Sequence, residues 1–180
     1  MDIPDNIYYY LSTIPQVLGA AFAFLGVFAI FKIQGLTTSR SGSSQIFLNH
    51  VRRVYSDGLL QIDALNQAQI GHNYEGTITA MTDLINFFTP MALVNPLLYN
   101  TAEMIGWRTD FRNTQTKIRN IKNYLISCLC YTVLLISVNL YILLDLRCFE
   151  LVCLMNYLYV ILGLTILNLA FMIFITIKSL

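Results

Sequence analysis

At 180 residues, with 56% hydrophobic and 12% charged, the chain is too apolar for a soluble globular domain, where charged residues are about 25%. A net charge of +1 conceals an uneven distribution, because nine of the eleven Lys and Arg fall between residues 32 and 122. Three stretches, Ile7–Phe31, Tyr124–Leu144 and Leu151–Ile177, hold no Asp, Glu, Lys or Arg. A spanning helix needs about 20 predominantly apolar residues, so each qualifies on length. The expectation is an all-α membrane protein with three transmembrane helices and a helical cytoplasmic segment between the first and second.

Residues 1–34 form the outer tail and first span. Asp2 and Asp5 precede it without a base, unlike the basic opening of a cleaved signal peptide. Tyr8, Tyr9 and Tyr10 suit an interfacial aromatic belt. Thr13 and Gln16 have capping-box spacing, and Pro15 is tolerated in a first turn. Lys32 can snorkel to the inner headgroups. Gly19, Ala23 and Gly26 step four and three residues apart, which keeps small side chains on one helix face where backbones can approach. The large Phe24, Leu25 and Phe28 lie on the other side and are expected to face lipid. The small seam serves either the protein's own other spans or the same helix of a neighbouring copy.

Residues 35–122 read as several helices. Thr37–Ser44 is expected to be a turn-rich linker. A helix from Gln45 carries Phe47, Val51 and Val54 on one face and ends near Asp57 and Gly58. Leu59–Ile70, closed by Gly71, is a second helix, and Ile78–Phe88, stopped at Thr89 and Pro90, a third. The run Leu84–Ala102 holds no charge; it is either a buried connector or a loop touching the membrane surface. A fourth span there would spoil the charge asymmetry. From Arg108 to Leu144 there is no Gly or Pro, so one helix runs unbroken into the second span. Arg108, Arg112, Arg119 and Lys122 form a basic stripe on it, apart from Phe111, Ile118, Ile121 and Leu125. The stripe fits anionic lipid heads, with a cytoplasmic protein or RNA partner as the alternative.

Residues 123–180 form a helical hairpin turning at Asp145–Glu150. Antiparallel counting sets Asn139 level with Asn156, and Ser127 level with Asn168. Amides are costly in hydrocarbon unless paired, so these serve as interhelical glue or as the lining of a watery path. Asn156, Gly163 and Ala170 recur every seven residues, a second small-residue seam. Cys128 and Cys130 are expected to be buried thiols, and Cys148 and Cys153 lie near enough to the turn for a disulfide. The positive-inside rule places the N-terminus and this turn outside, with the basic segment and C-terminus in the cytoplasm.

No metal, nucleophile or phosphate-loop motif occurs. His50 and His72 are the only histidines; His50, Arg53 and Asp57 share a face, better read as a polar surface than a site. Neither an enzyme nor a cofactor is expected.

Thr13–Ala20 followed by Gly26–Gln34 resembles the opening of a family of small bacterial inner-membrane proteins, over the first span only. In architecture the chain is also similar to pore-forming membrane accessory proteins of CRISPR and other antiviral loci. That similarity implies a homo-oligomer acting as a pore-like or permeability-altering effector in the bacterial inner membrane. A membrane anchor or adaptor, binding a protein or nucleic acid through its cytoplasmic helices, is the other reading. No functional residue carries over from either likeness.

Overall fold

In a computed structural model, residues 5–55, 60–144 and 151–179 are described, and every element among them is helical: α1 (Asp5–Val54), α2 (Leu60–Ile70), α3 (Tyr74–Val94), α4 (Thr101–Leu144) and α5 (Leu151–Ser179). Four helices are long and apolar enough to cross a membrane by length and composition: those holding Ile7–Val54, Tyr74–Val94, Thr101–Leu144 and Met155–Ile175. The chain thus has the makings of a multi-pass membrane protein. The expected hairpin turn Asp145–Glu150, the helix end at Asp57 and Gly58, and Cys148 lie outside the described residues, as does the Cys153 side chain.

Three boundaries differ from the expectation. α1 already runs from Asp5, so Thr13, Pro15 and Gln16 lie inside it and not at a capped start, and Thr13 Oγ1 donates to the Tyr9 carbonyl at 2.7 Å. Thr37–Ser44 is not a linker but lies inside α1. Its hydroxyls bond back to carbonyls one turn earlier: Thr38 Oγ1 donates to the Gln34 carbonyl at 3.1 Å, and Ser43 Oγ to that of Ser39 at 3.2 Å. Such bonds absorb the donors that would otherwise compete with the helix, and packing overrides a weak local propensity. Similarly, α3 continues through Pro90 to Val94. Proline costs that helix one amide donor, but the turn before it is reinforced by Thr89 Oγ1, which donates to the Ile85 carbonyl at 2.7 Å. This extension makes α3 long enough to count as a fourth candidate span.

The caps are legible in side-chain chemistry. Asn73 accepts from the Gly76 amide at 3.0 Å and opens α3. Asn100 accepts from the Glu103 amide at 3.3 Å and opens α4; both are good N-cap types. At the end of α2 the left-handed residue is His72, with φ 51°, and not Gly71. The Asn73 amide reaches the Ala68 carbonyl at 2.9 Å and that of His72 reaches Gln69 at 3.2 Å, the paired bonds of a Schellman motif.

The chain divides into two compact units, one of Met1–Ile33 with Asn120–Leu180, the other Gln34–Arg119. The second unit has an apolar core that draws Phe47, Leu48 and Val51 from α1, Ile62 and Leu65 from α2, Met81, Leu84 and Phe88 from α3, and Met104 and Phe111 from α4. Its polar side chains Glu75, Asp83 and Asn86 of α3 are exposed, so α3 is amphipathic in the manner of a helix on a soluble core.

The first unit has the opposite polarity. Leu11, Leu18, Leu135, Ile142 and Ile161 share one cluster, and Leu25, Cys128, Met172 and Ile175 another. Yet Thr132, Asn139, Thr165 and Asn168 are also buried, while Phe24, Phe31, Tyr159 and Leu167 are among many large apolar side chains left exposed. An apolar exterior over an apolar core that also holds a few amides and hydroxyls is what a lipid environment selects.

Candidate functional site

The polar core of the Met1–Ile33 and Asn120–Leu180 unit centres on Asn168, which is fully buried. Its Nδ2 donates to Thr132 Oγ1 at 2.9 Å, and its Oδ1 accepts from Cys128 Sγ at 3.9 Å. Cys128 and Thr132 are four apart, so both face the same side of α4. Asn139, also fully buried, donates to the carbonyl of Leu135 at 2.8 Å, within its own helix. The buried oxygens Asn139 Oδ1, Thr165 Oγ1 and Tyr10 Oη have no partner among the described residues.

The expected amide pairs are therefore not formed. Asn156 and Ser127 are both exposed, and Asn168 is bound by the neighbours one and five residues beyond Ser127. Chain counting about a turn estimates depth but not the rotation of a helix about its axis. A one-residue step turns a side chain by about 100°, enough to move Ser127 off the buried face. Cys130 is exposed as well, so of these two only Cys128 is a buried thiol.

Among the described residues, the seam of Gly19, Ala23 and Gly26 does not pack against the chain's own helices. Gly19 and Ala23 are exposed and Gly26 half-buried, and a Cβ built on either glycine meets nothing within 4 Å. The buried line of α1 is instead Leu11, Leu18 and Leu25; Leu25, expected toward lipid, is 2% exposed. Gln16 and Ala20 join the uncovered face. On α5, Asn156, Gly163 and Ala170 are likewise exposed, and Gly163 also has nothing within 4 Å of a built Cβ.

On α4 the basic stripe lies where expected. Arg112, Arg119 and Lys122 are exposed, while Phe111, Ile118 and Ile121 are buried. Arg108 is half-buried and donates to Thr82 Oγ1 at 3.3 Å. His50 sits edge-on to Trp107 with ring centroids 5.2 Å apart, its Nε2 buried without a partner among the described residues. Arg53 is exposed, and Asp57, expected on the same face, lies outside the described residues. Among the described residues no group of three or more His, Cys, Asp or Glu is placed to hold a metal ion.

One polar feature escaped the sequence reading. Arg40, expected in a linker, points from α1 into a small cavity of the Gln34–Arg119 unit that also has His72 in its wall. The only available signal was a lone base amid hydroxyls, from Thr37 to Ser44, off the register of the basic stripe.

Comparison with protein-family models, curated proteins and solved structures gave no match, so the resemblance of the first span rests on Thr13–Ala20 and Gly26–Gln34 alone.

Proposed function

We propose that this is a three-span bacterial inner-membrane protein whose copies assemble side by side into a pore-like, permeability-altering ring. The observation that carries the reading is a pair of uncovered faces in the membrane unit. The α1 face offers Gln16, Gly19, Ala20 and Ala23; the α5 face offers Asn156, Gly163 and Ala170. Each joins an amide, poorly accommodated by lipid, to small residues that let backbones approach. Leu25 and Met172 share one cluster, which puts them at similar depth. Counting nine residues back from each brings Gln16 level with Gly163, and two residues back brings Ala23 level with Ala170. Two different faces meeting between copies make a heterologous contact, which forms a ring when the rotation between copies closes and an open filament when it does not.

In this reading α1, α4 and α5 cross the bilayer. The fourth candidate, α3, stays in the cytoplasm because its buried face already packs on a water-facing core and its other face carries Glu75 and Asp83. Nine bases between residues 32 and 122 support a cytoplasmic middle segment, with the N-terminus outside and the C-terminus inside. The Arg112, Arg119 and Lys122 stripe then meets anionic lipid heads, at about 1 kcal/mol per base near the surface.

The test is membrane potential. Expression should depolarise cells in step with oligomer formation, while a protein that never depolarises them removes the pore. The anchor or adaptor reading draws on a separate observation: at the α3–α4 connection Leu93, Val94 and Leu97 are 85%, 88% and 95% exposed, an apolar corner suited to a cytoplasmic protein partner. Recruitment of such a partner by a non-depolarising protein favours that reading.

A further inference from the structure

The assembly proposed above leaves unused the cavity in the Gln34–Arg119 unit. It measures ≈ 250 Å³ and draws its walls from α1, α2, α3, α4 and the α2–α3 turn, with Arg40, Gln45, Gln69, His72 and Tyr74 among the lining residues and no Asp or Glu. Its charge is one-sided. The half-buried Arg40 guanidinium donates to the amide oxygen of Gln115 and lies 5.8 Å over the Phe111 ring. Neither neighbour carries a negative charge, so among the described residues the cation is positioned without being neutralised. Arginine has five N–H donors, and Gln115 occupies one side of that fork.

The walls are held in place. Ser44 and Thr77, both buried, return their hydroxyl hydrogens to the Ser41 and Asn73 carbonyls at 3.0 and 2.8 Å. Gln69 Nε2 ties α2 to the Ser44 carbonyl at 3.2 Å. Tyr74 stacks on Phe111, with centroids 5.6 Å apart and planes 6° from parallel. His72 occupies the left-handed position of the turn, where glycine is the unstrained choice. The fold thus places an imidazole beside the cavity at a position whose backbone prefers no side chain.

We propose that this cavity binds a small organic phosphate. Donors line it from α1, through the half-buried Arg40 and the exposed Gln45, and from the α2–α3 turn, through the exposed His72. A phosphoryl group has terminal oxygens for all three, whereas a carboxylate has two in one plane. Ile70 and Tyr74 offer an apolar surface for the esterified body. The same chemistry occurs in a dissolved phosphate ester and in a lipid headgroup. The inference rests on this unit alone and holds whether or not the membrane unit assembles.

Titration calorimetry on the full chain in nanodiscs of zwitterionic lipid, with phenyl phosphate as probe, tests it. The native chain should bind at one saturable site. Arg40→Gln should weaken that site by about tenfold or more. His72→Gly should also weaken it while leaving helical content unchanged, because glycine relieves the backbone there. Arg112→Gln, on the exposed stripe, should bind as the native chain does. Repeating the titration in nanodiscs containing phosphatidic acid separates the sources: lost phenyl phosphate binding assigns the site to a headgroup, and retained binding assigns it to a dissolved ester. Absence of saturable binding in zwitterionic nanodiscs, or equal affinity in native, Arg40→Gln and His72→Gly chains, overturns the proposal.

Discussion

Replacing Asn168 by Leu isolates what the buried amide contributes to docking α5 on α4. The native side chain is 0% exposed and gives one bond to Thr132 Oγ1 at 2.9 Å and receives a longer one from Cys128 at 3.9 Å. Hydrogen bonds between membrane helices average about 0.6 kcal/mol and reach about 1.7. The geometry at Thr132 is good and the thiol bond is weak, so Asn168→Leu should cost about 1 kcal/mol. Thr132→Val should cost a similar amount, since it leaves the Asn168 amide buried without its acceptor. Made together, the two changes remove both polar partners and leave an apolar pair of comparable size. The double variant should therefore be no less stable than either single one, giving a coupling of about 1 kcal/mol. Reversible unfolding in mixed micelles reads these differences, with Ser127→Ala as the exposed control, expected within about 0.5 kcal/mol of native. Additive costs in the double variant, or a loss at Ser127 equal to that at Asn168, would refute the assigned pairing.

Other substitutions probe the second unit and the orientation. Leu84→Ala empties a site that is 0% exposed and should cost about 2–5 kcal/mol, whereas Leu93→Ala at 85% exposure should be nearly silent. Chemical denaturation followed by Trp107 fluorescence compares them, and equal losses would contradict the core described for that unit. In a cysteine-free background, Asp5→Cys should react with an impermeant maleimide on intact cells, and Ser39→Cys only after permeabilisation. The reverse pattern contradicts the proposed orientation.

Much of the helical framework was legible in the residues. The absence of Gly and Pro from Arg108 to Leu144 marks one long helix, and the separation of Phe111, Ile118 and Ile121 from the basic stripe marks its buried face; both are seen in α4. What was not legible depends on tertiary contacts. Ser and Thr around Arg40 read locally as a loop, and only the bonds to Gln69 and Gln115 reveal that stretch as a packed helix. Pro90 reads as a stop, yet α3 continues past it. Amide depth could be counted from the hairpin, but the rotation that brings Asn168 to Thr132 and leaves Asn156 exposed could not. The Gly19, Ala23 and Gly26 spacing announces a close-packing face without saying whether the chain itself covers it.

The mass of the particle in a native-lipid nanodisc tests the central claim most directly. The account predicts a closed ring of several copies for the native chain and for Phe24→Leu. It predicts much smaller particles for Gly19→Leu and for Gly163→Leu, since a bulky side chain on either uncovered face parts two backbones. A native chain that stays monomeric, or rings of unchanged size in both glycine variants, would contradict it.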